Sequence, residues 1–130
     1  MWNTKDKETR YLQVQNGLRR HAEWIKQKPT VILGDFNNGG SFDNSSWKDL
    51  LGLTESLELV SAYHQHTAEQ FGEETSPTYY FKGEETLAFH VDYIFLPKTW
   101  APHITKAKVG DFHYWHNLSN HMPVWVDLDL

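Results

Sequence analysis

Three apolar residues, Val31, Ile32 and Leu33, stand between Pro29 and Gly34 and are followed at once by Asp35, Phe36, Asn37 and Asn38. Proline stops any helix arriving from upstream, and a short apolar run closed by glycine reads as a buried strand over Thr30 to Leu33. Gly34 lets the backbone turn at the strand's end. Asp35 and Asn37 would then emerge at a carboxyl edge, where sheet proteins commonly place ligands. Gly, Asp and Asn are also ordinary turn residues that satisfy local backbone groups, so by itself the segment fits a plain turn as well as a site.

Upstream, Tyr11, Val14, Leu18, Ala22 and Ile25 recur at three- and four-residue spacing, which predicts an amphipathic helix from about Lys7 to Lys26. Downstream, Gly34 to Ser46 is rich in turn formers, Ser46 is placed to cap a short helix through Leu51, and Leu57 to Tyr63 suggests a second helical stretch. Thr78 to Phe81, a Lys-Gly-Glu-Glu turn, and Ala88 to Leu96 then read as a hairpin of β-rich strands. Ile104 to Val109 and Val124 to Leu130 predict two further strands, the last alternating Val124, Val126, Leu128 and Leu130 with Trp125, Asp127 and Asp129. Helix, strand, short helices and then several strands, with no repeat or linker between them, describe one α+β or α/β layer structure spanning 1–130.

At 130 residues the chain suits a single domain, and 39% hydrophobic with 22% charged residues argues against wholesale disorder. Twelve basic against seventeen acidic side chains, a formal charge of −5, give no general attraction to nucleic acid or an anionic membrane. A local basic groove stays open, with Lys82, Lys106 and Lys108 as candidates and a solvated surface as the plain reading of each. The absence of cysteine removes disulfides and thiol chemistry and fits a reducing compartment, so a cytoplasmic location is expected, a secreted full-length form being the alternative. No stretch approaches the ~18 apolar residues of a membrane span.

Two more clusters bear on the first. Asp92 interrupts Phe89 to Phe95, a run otherwise suited to burial, and a charge inside a strand is costly unless it is paired or sits at an edge. Alternation could place Asp92 in water, but Ile94 and Leu96 share its face. His121, in Leu118 to Val124, lies directly ahead of the final strand. A carboxylate holding one imidazole nitrogen would fix its tautomer and leave the other nitrogen to act as base.

Taken together, Gly34-Asp-Phe-Asn37, His90-Val-Asp92-Tyr-Ile-Phe95 and Ser119-Asn-His121-Met-Pro-Val124 resemble, in order and spacing, the second half of the endonuclease/exonuclease/phosphatase superfamily. Trp2-Asn3-Thr4 ahead of the helix is similar to the segment after that family's middle strand. The resemblance covers nearly the whole chain. It implies a metal-dependent phosphoesterase acting by in-line attack of water, and a fold of two mixed sheets packed face to face with helices outside. This chain would be half of that four-layer α/β/β/α sandwich, a mixed β-sheet with helices on one face.

Carried over residue by residue, the resemblance makes His121 the imidazole at the scissile phosphate, with Asp92 orienting it. Asp35 would position or deprotonate the attacking water and Asn37 would donate to a phosphoryl oxygen, neutral dipoles suiting a state of added negative charge. Asn120 stands where most members have Asp. Its amide oxygen can still meet Mg²⁺, or Mn²⁺, but brings no charge. Tyr114 and Trp115, with Phe112, occupy the place of a substrate-facing loop and could stack on a base, a sugar or a lipid group.

The family's principal Mg²⁺-binding Glu comes from a first half with no counterpart here, Glu8 and Glu23 belonging to the amphipathic helix. A two-sheet sandwich needs roughly 200–250 residues, and a lone half would expose the inner face of its sheet. The chain is therefore expected to be the C-terminal half of a larger hydrolase, or to pair sheet to sheet as a homodimer. A non-enzymatic homo-oligomer or interaction module that keeps the fold is the competing class. His64 and His66, and His113 and His116, lack the converging ligands of a zinc site and read as exposed loop histidines.

Overall fold

The computed structural model describes the backbone of residues 4–39 and 46–130 and the side chains of residues 10, 12–39 and 47–130. Two helices, α1 (Thr4–Arg20) and α2 (Ala22–Gln27), stand where one was expected over Lys7 to Lys26. The backbone leaves helical geometry at His21 (φ −101°, ψ 9°), although the His21 N–H still donates to the Gly17 carbonyl at 3.1 Å. Across this kink Leu18 and Ile25 are both buried, with Val14 and Ala22 packed beside them. The apolar stripe read from the sequence is the packing face. Trp2 and Asn3, and the side chains of Tyr11 and Ser46, lie outside the described residues.

Strand β1 (Ile32–Asp35) runs through Gly34 instead of ending before it. Gly34 has φ +141°, open to glycine and resisted by other residues, and the ladder continues through it to Asp35, two residues past the expected end at Leu33. After α3 (Ser46–Ser56), which outruns its expected end at Leu51, the helical reading of Leu57 to Tyr63 is overturned in its first half. Glu58 is left-handed (φ 56°), β2 (Leu59–Ser61) follows, and α4 begins only at Ala62 (Ala62–Thr67). Leu59 and Ser61 are buried and Val60 less so, a period of two that seven residues could not declare until a partner strand was present.

The hairpin between Thr78 and Leu96 forms in part. Strands β3 (Tyr79–Tyr80) and β4 (Ala88–Phe89) pair antiparallel. The second arm then breaks at His90 and Val91 and resumes as β5 (Asp92–Pro97). β5 is the centre of a three-stranded sheet ordered β1-β5-β2. Strands β6 (Ile104–Val109) and β7 (Val124–Leu128) form a second antiparallel pair, β7 stopping two residues before Leu130, with the short helix α5 (Phe112–Trp115) between them. The α+β class is as expected. Every ladder among the described strands is antiparallel, so these strands do not supply the mixed character.

One face of the three-stranded sheet carries the core: Leu59, Tyr93 and Phe95, with Phe36, meet Leu18, Ile25, Leu50 and Leu57 from the helices. Phe36 sets its ring 5.5 Å from Tyr93, edge to face, and 5.3 Å from Phe95. The reverse face pairs Leu33 with Ile94 and Val60 with Leu96. Leu96 is fully buried, whereas Leu33 is 68% exposed.

A strap, residues 68–77, crosses from α4 to β3. Glu69 accepts from the Tyr63 hydroxyl and the Thr75 N–H, and Glu74 from the Gly72 N–H. His64 is not an exposed loop residue: it is buried, with Nε2 3.0 Å from Glu74 and Nδ1 2.7 Å from the Ser61 hydroxyl, and it stacks on Phe71 at 3.7 Å. Both ring nitrogens being engaged, it has none left for zinc. His90, also buried, donates Nδ1–H to the Ser76 carbonyl at 2.8 Å.

Burial holds the His90 imidazole below its ordinary value. Burial pushes the Glu74 carboxyl up, but hydrogen bonds from His64 and Gly72 outweigh it and leave the group below its usual range. Both depressed groups support the fold in their less protonated form, so stability is present above the unfolded-state values and is lost as pH falls through the folded ones. Thermal melting should therefore weaken in two stages, first below about pH 6.5 and again below about pH 4.3. His90→Phe should remove the first stage; an unchanged slope in that variant would assign it to another group.

Candidate functional site

The register of β1 on β5 sets Asp35 directly opposite Asp92. Both carboxylates lie on the reverse face, at the ends of their strands, beside the Leu33 and Ile94 pair. The chain after β1 is fixed by the core: the Phe36 N–H donates to the Val91 carbonyl at 2.9 Å, and the Tyr93 hydroxyl reaches the carbonyls of Asn38 (2.9 Å) and His90 (3.0 Å). Burial keeps that phenol protonated, far above its ordinary range. At Gly39 an added Cβ would sit 2.4 Å from the His90 carbonyl oxygen, so this close passage excludes any side chain.

His121 arrives from the segment before β7. A single bridge pairs it with Tyr79, and the Tyr79 ring lies 4.6 Å from the imidazole at a 30° tilt. Main-chain bonds Tyr80 N–H to Asn120 C=O (2.9 Å) and Met122 N–H to Thr78 C=O (2.7 Å) hold the segment on either side, and the His121 N–H donates to the Ser119 hydroxyl. His121 Nδ1 is 2.9 Å from Asp92 Oδ2, and Nε2 is 4.0 Å from Asp35 Oδ2. The imidazole thus spans the two acids. With Nδ1–H donated to Asp92, Nε2 keeps a lone pair facing the open side of Asp35.

The geometry brings together Asp35, Asp92 and His121. Asn37 follows in an Asx turn, its N–H donating to Asp35 Oδ1 at 2.7 Å, with a left-handed backbone (φ 49°). The turn reading of this segment holds, and the same turn leaves Asp35 beside Asp92 and His121. Asn120 is exposed, and an added Cβ at Gly83 would meet its Oδ1 at 3.2 Å, which places the amide against the turn Phe81–Gly83. Of the two aromatic candidates, Tyr114 is 73% exposed. Trp115 is half-buried beside Gly110. Asp111 caps α5 through the His113 N–H and so fixes how Tyr114 projects. Lys106 and Lys108 pair across the ladder with Asp127 and Trp125, whereas Lys82 sits in the turn next to Gly83.

Ligand atoms of Asp35, Asp92 and His121 lie within 4.8 Å of one another, a grouping that sequence spacing alone does not assign to a cation. Two facing carboxylates with an imidazole form a donor set for a divalent ion, oxygen suiting Mg²⁺ or Mn²⁺ and nitrogen suiting zinc. Thr78, Tyr79 and Ser119 also escape a reading of the sequence. Ser76-Pro77-Thr78 ahead of a β-rich run is the available signal for the first two.

These elements make up an α+β fold of antiparallel sheets with helices packed on one face of the three-stranded sheet. No family model matches the chain, and no curated protein sequence matches it. Among solved structures it is similar to the 3′ phosphatase NExo from Neisseria, determined with a product DNA hairpin, at a TM-score of 0.64 and 17% identity over 84% of this chain. The chain spans 50% of that enzyme's length. The likeness is one of fold. No described helix is long and apolar enough to cross a membrane.

Burial raises the Asp92 carboxyl above its ordinary value; hydrogen bonds from His121 and Thr78 oppose this, and the charge of Asp35 adds to it. A carboxyl raised in the fold favours stability when protonated, and that contribution is lost as pH rises through its folded value. At neutral pH the ionised Asp92 therefore works against the fold. Asp92→Asn should melt at or above the wild-type temperature at pH 7, with the gap closing toward pH 4 as the wild-type acid protonates. A melting point several degrees lower at pH 7 would show instead that the ion pair holds the fold.

Proposed function

We propose that the chain is the C-terminal half of a metal-dependent phosphoesterase domain of the endonuclease/exonuclease/phosphatase type, hydrolysing a phosphate ester by in-line attack of water. The supporting observation is the imidazole of His121 held between Asp92 and Asp35 at the end of two paired strands. In this reading Asp92 fixes the tautomer and direction of His121, which meets the scissile phosphate or takes a proton at Nε2. Asp35 positions the attacking water and Asn37 donates to a phosphoryl oxygen. Tyr114 offers an exposed ring for the group beyond the phosphate, with Trp115 as its packed support.

Asp35 and Asp92, with Asn120 further out, are the oxygen donors for Mg²⁺ or Mn²⁺. When bound, such an ion supplies Lewis acidity toward the phosphate. The family's principal carboxylate ligand belongs to the first half. Because the neighbouring fold is that of a 3′ phosphatase bound to a product DNA hairpin, a DNA end carrying a 3′-phosphate is the first substrate to try.

The second reading is a non-catalytic homo-oligomer or interaction module. Leu33, exposed on the same face as the carboxylates, favours a covering partner, either the absent half or a second copy packed sheet to sheet.

Hydrolysis of a 3′-phosphorylated DNA hairpin and of bis-nitrophenyl phosphate, each with Mg²⁺ or Mn²⁺, separates the readings. His121→Ala should lower turnover by about 10²- to 10⁴-fold, and the same rate in that variant would defeat the assignment. Light scattering on the purified chain checks the surface: self-association weakened by Leu33→Lys is expected if a second copy covers it, and a well-folded monomer counts against the homodimer.

A further inference from the structure

Thr78 has no accessible surface at all, yet it is polar and sits where three segments meet. Its main chain joins β4 through the Thr78 N–H to the Phe89 carbonyl (2.9 Å) and the His121 segment through the Met122 N–H to its own carbonyl (2.7 Å). Its Oγ accepts from the N–H of Val91 at 3.0 Å and from the N–H of Asp92 at 3.1 Å. A hydroxyl offers two lone pairs and one proton. With both lone pairs occupied by backbone donors, one of them the N–H of Asp92 itself, the proton is left to point toward another acceptor beside that residue.

We propose that Thr78 is the positioning residue of the Asp92 and His121 pair: its hydroxyl donates to the Asp92 carboxylate and fixes the rotamer that receives His121 Nδ1–H, while its carbonyl sets the position of the His121 strand. The inference rests on the reading of Asp92 and His121 as the working pair. It adds a residue that touches neither substrate nor ion and acts through the carboxylate. The break in the hairpin at His90 and Val91 has the same origin: the N–H groups of Val91 and Asp92 turn to a side chain instead of a ladder partner.

The test reads geometry and not turnover, so a chain that hydrolyses nothing leaves it intact. With ¹⁵N-labelled histidine at alkaline pH, the wild-type His121 ring should show a protonated Nδ1 and a bare Nε2. Thr78→Val, close in shape but without the hydroxyl, should lose that signature to a mixture of tautomers, while Thr78→Ser should keep it. A folded Thr78→Val with the wild-type pattern overturns the proposal, and so does Thr78→Ser losing the pattern as fully as valine does.

Should Thr78→Val fail to fold, the hydroxyl itself is measured in a one-to-one mixture of H₂O and D₂O. A buried hydroxyl donating to a carboxylate exchanges slowly and splits the Thr78 ¹³Cβ signal. The splitting should be present in the wild type and collapse in Asp92→Ala. No splitting in the wild type, or the same splitting in Asp92→Ala, means that the proton goes elsewhere and overturns the proposal.

Discussion

The register of β1 against β5 is the constraint on which the rest depends. Because side chains alternate with a period of two, the pairing that places Ile32 opposite Phe95 on the core side also places Asp35 opposite Asp92 on the other. A slip of β1 by one residue would turn Asp35 under the helices and send Ile32 to the other face, leaving Asp92 without its facing acid. The aromatic contacts of Phe36 with Tyr93 and Phe95 therefore specify the site as strongly as they stabilise the core. Gly34 and Gly39 serve the same register, one by sustaining the ladder at a positive φ and the other by letting the chain pass against the His90 carbonyl.

Those parts of the site that interrupt a local pattern were legible in the sequence. Asp92 breaks an apolar strand, Asp35 follows an apolar run at once, and His121 stands at the entry to an alternating strand. Each departure is visible within a few residues. The helical face through Leu18 and Ile25 and the β6–β7 pair were legible for the same reason, their periodicity being sustained. What could not be read depends on distant partners. β2 is a strand because β5 lies beside it, and His64 is buried because Glu74, ten residues on, reaches back to it. Thr78 gives no sign in the sequence that its hydroxyl will bind the backbone of Val91 and Asp92.

Stability and the proposed chemistry pull in different directions at Asp92. The carboxylate is drawn out of water and set beside a second acid, an arrangement that raises its proton affinity and opposes folding. The compensation is held elsewhere: in Glu74, kept ionised by His64 and the Gly72 N–H, and in the apolar contacts of Leu50, Phe95 and Leu96. The strap from Ala68 to Pro77 connects the two regions, since Ser76 near its end accepts from His90 and Thr78, the residue just after it, accepts from Met122 beside the imidazole.

Leu33 is the neighbour of the carboxylates on their own face and is largely open to solvent. Water on that side screens Asp35 from Asp92 and both from His121, because the strength of each interaction scales inversely with the local dielectric. Covering Leu33 would bury an apolar side chain and, in the same event, strip the screening from three ionisable groups. The electrostatic coupling among the three groups is in this way tied to the packing of a single leucine that carries no charge of its own.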